Sequence, residues 1–167
     1  MCIRDRDQSL VFDIPIRENN ATSFVRAAFL ICYEDIFPSV SRIAREQGAE
    51  LLIVSTNDAW FEEEGCAEQH AAHSVLRAVE NNLPIVRCGN AGWSGWIDEH
   101  GVIRDVLLDQ SRSVYFEGAA VVEVRIPRKQ SVQSVSMGNF FACLCTFLSL
   151  AIALYFYFGS ASISSRD

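Results

Sequence analysis

The sequence predicts an α/β domain followed by one apolar helix, and three observations carry that reading. Two short runs rich in Ile, Leu and Val, "AAFLICYE" (27–34) and "LLIVSTND" (51–58), each end in polar residues. This is the form of strands buried on both faces. Between them, "FPSVSRIAREQGAE" (37–50) has Pro38 near its start, Val40, Ile43 and Ala44 at helical spacing, and Gly48 as a stop. A strand–helix–strand unit of this kind is the building block of layered α/β folds. The third observation is "FFACLCTFLSLAIALYFYF" (140–158), which carries no charge.

The remaining elements follow in order. "AEQHAAHSVLRAVENN" (67–82) predicts a second helix that stops before Pro84. "IVRCGN", "WSGWID", "VIRDVLL" and "GAAVVEVRI" are four strand-like runs separated by Gly and charged residues. "DEHG" (98–101) reads as a hairpin turn in which Gly101 supplies a positive φ. The chain divides near Ser131. Beyond it, the uncharged run is about 28 Å long as a helix, close to the thickness of a bilayer's hydrocarbon layer. Tyr155 and Tyr157 near one end suit the membrane interface. A transmembrane helix over 138–158 with a short tail, 159–167, is therefore expected.

Composition excludes several functions. A chain of 167 residues with a net charge of -7 lacks the clustered Lys and Arg of a nucleic-acid surface. Its six cysteines include no CxxC pair and no His/Cys cluster at zinc spacing, so no metal site is expected. Cys143 and Cys145 lie in the apolar run as packing residues, and Cys66 and Cys88 can pair in an oxidising compartment.

Cys32 closes the first strand-like run. Open α/β sheets bind ligands beyond the carboxyl ends of their strands, where a thiol is accessible and main-chain N–H groups can face an oxyanion. Burial as a packing residue is the competing reading. If Cys32 is the nucleophile, the N–H of Tyr33 is the first oxyanion donor. Glu34, on the same side if strand alternation continues, can orient a substrate amine or exchange a proton. "STNDAWF" (55–61) ends the neighbouring strand in the same manner. Asn57 and Asp58 would lie beside Cys32 there, or form a turn, and Trp60 and Phe61 can line an apolar pocket. His70 and His73 read as helix-surface residues, and Arg77 with Glu80 as an intrahelical ion pair.

Taken in order, "ICYE", "LLIVSTNDAWF" and "QHAAHSVLRAVENNLPIVRCGNAGWSGWIDEHG" resemble the second half of a nitrilase-superfamily (carbon–nitrogen hydrolase) domain. The strings most resemble the apolipoprotein N-acyltransferase branch. The resemblance rests on Asn57 to Phe61, on His70 seven residues before Arg77 with Glu80, and on Arg87, Asn90 and Gly92. An apolar helix following the catalytic domain also fits that branch.

The resemblance implies the second half of an αββα sandwich, here residues 8–130, with Cys32 as nucleophile of a Glu–Lys–Cys triad. The triad's Glu and Lys lie upstream in the family, whereas the one lysine of this chain, Lys129, follows Cys32. "MCIRDRD" (1–7) reads as non-native sequence, and the chain as the C-terminal fragment of a larger enzyme. Two lesser departures are Glu62, where a Gly is frequent, and Ala91, where an Asn is common.

The intact enzyme would move an acyl chain from a membrane phospholipid to the N-terminal cysteine amine of an apolipoprotein, through a thioester on Cys32. It would use no metal or organic cofactor. It would sit in the bacterial inner membrane with its catalytic domain outside the cytoplasm, and the fragment alone would be inactive. The alternatives are a nitrilase-type amidase acting on a small amide and a non-catalytic membrane-anchored domain.

Overall fold

The computed structural model describes residues 11–18, 21–61, 65–127 and 140–164. Two compact units are present, Met1–Ser131 and Val132–Asp167, and each is described by itself. The first is a six-stranded sheet whose spatial order equals its chain order: β1 (Val11–Glu18), β2 (Ala21–Ile31), β3 (Leu51–Asn57), β4 (Ile85–Asn90), β5 (Gly95–Ile97) and β6 (Ile103–Val106). β2, β3 and β4 are parallel; β1 pairs antiparallel with β2, and β5 and β6 continue antiparallel beyond β4.

The two parallel connections carry α1 (Pro38–Glu46) and α2 (Cys66–Asn81). α1 begins with Pro at its first turn, where a missing N–H costs nothing, and is followed by Gly48 at φ +86°. α2 ends on Asn82 in the left-handed region, directly before Leu83 and Pro84. The β5–β6 turn has Gly101 at φ +80°, with its N–H donating to the Asp98 carbonyl (2.9 Å), as "DEHG" predicts.

The core lies between the sheet and the two helices. Ala28, Leu30, Leu52, Val54 and Ile85 face Val40, Ala44, Ala71 and Ala78 in one buried cluster. The expectation of strands buried on both faces is corrected. β3 alternates strictly, with Leu52, Val54 and Thr56 buried while Ser55 and Asn57 are exposed. On β2, Phe29 and Ile31 of the outer face are 40% and 48% exposed. The helices cover one face, and a second sheet is not present among the described residues.

Two further strand expectations change. "GAAVVEVRI" is described but forms no strand, and "WSGWID" contributes only Gly95–Ile97. β1 was not legible. It is an edge strand with mostly exposed side chains, the one place in a sheet where Pro15 costs no ladder hydrogen bond.

The second unit contains α3 (Phe140–Ser164), 25 residues long as backbone. Every described side chain on it, over 140–156, is exposed. On it, Thr146 Oγ1 donates to the Ala142 carbonyl (2.9 Å) and Ser149 Oγ to the Cys145 carbonyl (2.8 Å). Among the described residues no helix is long and apolar enough to cross a membrane. The described side chains of α3 reach about 25 Å, short of the roughly 30 Å hydrocarbon layer, although its backbone continues to Ser164.

Candidate active site

β2 ends at Ile31, and the chain turns at once into a 3₁₀ helix, Cys32–Ile36. The bend falls on Cys32, whose φ is +52°. A non-glycine residue in the left-handed region costs on the order of 1–3 kcal/mol and persists only where its surroundings impose it. Such a strand-to-helix elbow is how a nucleophile is presented at the top of a parallel sheet. Cys32 is half-buried, and it and the other described cysteines are free thiols, so Cys66 and Cys88 do not pair.

Two side chains fix this elbow. The Glu34 carboxylate accepts the N–H of Ile31 (2.8 Å), closing the turn on itself. The chain has therefore left the strand before Glu34. The expectation that Glu34 shares a strand face with Cys32 is corrected, because its position is set by the 3₁₀ turn. Asp35, fully buried, ties the turn to two other elements, α2 and β4. Its Oδ1 meets His70 Nε2 (3.0 Å), and its Oδ2 accepts from Ser74 Oγ (2.6 Å) and Arg87 Nη1 (2.6 Å).

The network continues to the end of β3. His70 Nδ1 lies 2.9 Å from Asp58 Oδ1, which also accepts from Thr56 Oγ1 (2.9 Å). Arg87 Nη2 approaches Asp58 Oδ2 at 3.6 Å. Arg77 Nη1 donates to the main-chain carbonyl of Ile36 (2.8 Å), and its Nη2 binds Glu80 (2.8 Å). The expected Arg77–Glu80 pair exists, but it also anchors the 3₁₀ turn. Gly92 has a steric reason. A Cβ there would stand 2.5 Å from Asp58 Oδ2 and 2.8 Å from Asp58 Cβ.

The reading of His70 as a surface residue is corrected. It is 3% exposed, and the Tyr33 ring stacks on it with centroids 4.8 Å apart. The miss has a physical cause. The buried stripe of α2 is Ala67, His70, Ala71, Ser74, Arg77, Ala78 and Asn81, while Leu76 and Val79 are 52% and 50% exposed. Hydrophobicity alone points to the wrong face. Alanines at positions 67, 71 and 78 were the available signal.

Burial by itself pushes the Asp35 carboxyl up. Hydrogen bonds from His70 and Ser74 and the Arg87 charge outweigh it and hold the group below the usual aspartate range. Burial likewise opposes a charged His70, but its bonds to Asp35 and Asp58 prevail and raise it above an ordinary histidine. Desolvation, then the neighbouring thiols of Cys66 and Cys32 and the Asp58 carboxylate, raises the Tyr33 phenol.

The other expected site residues divide. Asn57 is exposed at the end of β3, where its Oδ1 accepts from Asn90 Nδ2 (2.9 Å) and from the Ala59 N–H (3.4 Å). Asp58 is buried in the network and cannot line an open pocket. Trp60 is 81% exposed, and Phe61 closes the short 3₁₀ turn Ala59–Phe61, its side chain outside the described residues. Among the described residues no group of three or more His, Cys, Asp or Glu is arranged to hold a metal ion. Both His70 nitrogens are engaged by carboxylates.

A half-buried cysteine on a left-handed elbow at the carboxyl end of a parallel strand, braced by buried charge, is the centre of this α/β unit. The chain belongs to the carbon–nitrogen hydrolase family, whose profile matches residues 5–129. Apolipoprotein N-acyltransferase of Geobacter metallireducens is 38% identical over 120 residues, 72% of this chain and 22% of that protein. The enzyme of that name from Rickettsia bellii is 37% identical over 141 residues, 83% of this chain and 26% of that protein. The chain thus spans about a quarter or less of the length of these relatives. Among solved structures, a member of branch 10 of the nitrilase superfamily from Saccharomyces cerevisiae superposes with TM-score 0.46 at 21% identity, over 60% of this chain and 37% of that one.

Proposed function

We propose that this chain is part of an apolipoprotein N-acyltransferase in which Cys32 carries the acyl group. The observation that supports this most is the left-handed elbow at Cys32, held at the carboxyl end of β2 by Glu34 and Asp35. The names of the relatives supply the reaction class.

In the first step the Cys32 thiolate attacks the ester carbonyl of a phospholipid. The S–C bond forms, the ester C–O bond breaks, and the lysophospholipid alkoxide takes a proton from the general acid. In the second step the α-amine of a lipid-modified N-terminal cysteine attacks the thioester, the C–S bond breaks, and the thiol regains a proton as the amide forms. The Tyr33 N–H is the oxyanion donor that this chain contributes. Glu34 supports the site by closing the turn that aims Tyr33 and Cys32. Asn57 and Trp60, at the mouth beside it, contact the incoming substrate. The family resemblance assigns the general base to a Glu and the second oxyanion donor to a Lys; the one lysine of this chain, Lys129, follows Cys32.

We further infer that α3 spans the bilayer. Its 25-residue backbone covers about 37 Å, the sequence is uncharged over 140–158, and the Thr146 and Ser149 hydroxyls are satisfied on its own backbone. Both acyl donor and acceptor reside in that membrane.

The test is acyl transfer by the intact protein from phospholipid to a diacylglyceryl-cysteine peptide. Cys32→Ser should lower turnover by several orders of magnitude, because an alkoxide at neutral pH is far scarcer than a thiolate. Cys66→Ser and Cys88→Ser should retain most of it. Near-normal transfer by Cys32→Ser would overturn the assignment. Hydrolysis of a small amide without any acyl transfer would favour an amidase.

A further inference from the structure

Buried charge around His70 does not balance unless the ring is doubly protonated. Both of its nitrogens face carboxylate oxygens, Nε2 at 3.0 Å from Asp35 and Nδ1 at 2.9 Å from Asp58. Ionised carboxylates only accept hydrogen bonds, whereas a neutral imidazole presents one lone pair. In the neutral ring, that lone pair would point at an oxygen about 3 Å away, a repulsion between buried groups.

The surrounding charges agree. The 3₁₀ turn offers Asp35, with the Tyr33 ring stacked on the imidazole; the end of β3 offers Asp58; β4 offers Arg87; and α2 itself adds Ser74 and Arg77. Arg77 is committed to the Ile36 carbonyl and to Glu80, so only Arg87 is left to offset two buried carboxylates. Arg87 sits 3.6 Å from Asp58 Oδ2 and 2.6 Å from Asp35 Oδ2, so its one positive charge faces both carboxylates. One further positive charge makes the cluster neutral, and the ring lies between the two acids.

We propose that His70 is a buried imidazolium that pins the Cys32 turn to the end of β3, and that it is a positioning residue for the nucleophile. The cation also has the Tyr33 ring against its face, an attractive arrangement for an aromatic quadrupole. Through its contacts with Tyr33 and Asp35 it holds the turn that begins at the thiol and carries the oxyanion N–H. It touches neither substrate nor the reacting atoms. The protonation state stands on the geometry alone, whereas the positioning role rests on the reading of Cys32 as nucleophile.

Two measurements test it. Nitrogen NMR of the full chain labelled with ¹⁵N-histidine has three side chains to resolve, His70, His73 and His100, and His73→Gln and His100→Gln assign them without touching the cluster. Both ring nitrogens of His70 should carry protons at neutral pH. A bare nitrogen on His70 at neutral pH would overturn the proposal.

In the intact enzyme, acyl transfer should fall on the alkaline side as His70 loses its proton, although thiolate supply rises there. His70→Gln, whose amide cannot donate from both ends, should lower kcat about tenfold or more with little change in KM. It should also abolish the alkaline fall. Wild-type kcat and pH profile in His70→Gln would refute the positioning role. If instead Cys32→Ser transferred acyl groups normally, the nucleophile reading would fail while the NMR result for the imidazolium stood.

Discussion

Arg87→Met removes a buried guanidinium while keeping much of its volume, and the structure sets the size of the effect. Arg87 is 2% exposed, and its Nη1 donates to Asp35 Oδ2 (2.6 Å) and Ser74 Oγ (3.0 Å). Among the described residues its Nε and Nη2 have no hydrogen-bond partner, so the loss falls on the Nη1 contacts and on charge balance. Without it, two buried carboxylates face a single imidazolium. Breaking a buried ion pair by deleting one partner costs about 3–5 kcal/mol, because the charge left behind is neither solvated nor paired. With a urea dependence of roughly 2 kcal/mol per molar, the midpoint should fall by about 2 M. The assay is urea unfolding of the chain in mild detergent, followed by tryptophan fluorescence. Arg42→Met is the control, since the Arg42–Glu46 pair is exposed and 4.0 Å apart and should contribute under about 1 kcal/mol. Equal midpoints for the two variants would refute the claim that buried charge braces the elbow.

Other expectations follow from the same contacts. Gly92→Ala should destabilise by roughly 1–3 kcal/mol, because its Cβ would collide with Asp58, and a midpoint unchanged from wild type would show that this packing is slack. Stability should have a maximum at mildly acidic pH. The Asp35 contribution is complete above its ordinary 3.8 and lost as pH falls through its lower folded value; the His70 contribution is complete below its ordinary 6.5 and lost as pH rises through its higher folded value. Unfolding free energy that keeps rising into the alkaline range would contradict this. A membrane-impermeant thiol reagent should label the Cys32 unit of the intact protein in whole cells, even though Arg125, Arg128 and Lys129 before α3 outnumber Arg166 after it. Labelling only after lysis would reverse the topology.

Some of this was open to sequence reading because the local signals agree with the tertiary outcome. The β2–α1–β3 unit announces itself through apolar runs, Pro38 at a helix start and Gly48 past its end, and the β5–β6 turn through Gly101. Cys32 was legible as a strand-end thiol. Its left-handed backbone was not, since nothing in "ICYEDI" demands a positive φ. The network was hidden for a different reason. Asp35, Asp58, His70 and Arg87 are scattered over 53 residues and meet only when parallel strands bring the ends of β2, β3 and β4 together. Each alone reads as a turn or surface residue. The strings that carry the family resemblance nevertheless converge there, because His70, Arg77, Arg87 and Gly92 each touch this cluster or the residues that build it. β1 escaped notice because an exposed edge strand has little apolar alternation to read.

The most direct test of the account is to trap the acyl group. Intact protein incubated with phospholipid and no acceptor, then digested and analysed by mass spectrometry, should carry one fatty acyl group on the Cys32 peptide, released by hydroxylamine and chased by a diacylglyceryl-cysteine peptide. With no lysine before Cys32 to help hold the oxyanion, the 167-residue chain by itself should stay unmodified. Turnover with Cys32 never acylated, or a chaseable acyl group on a different cysteine, would contradict it.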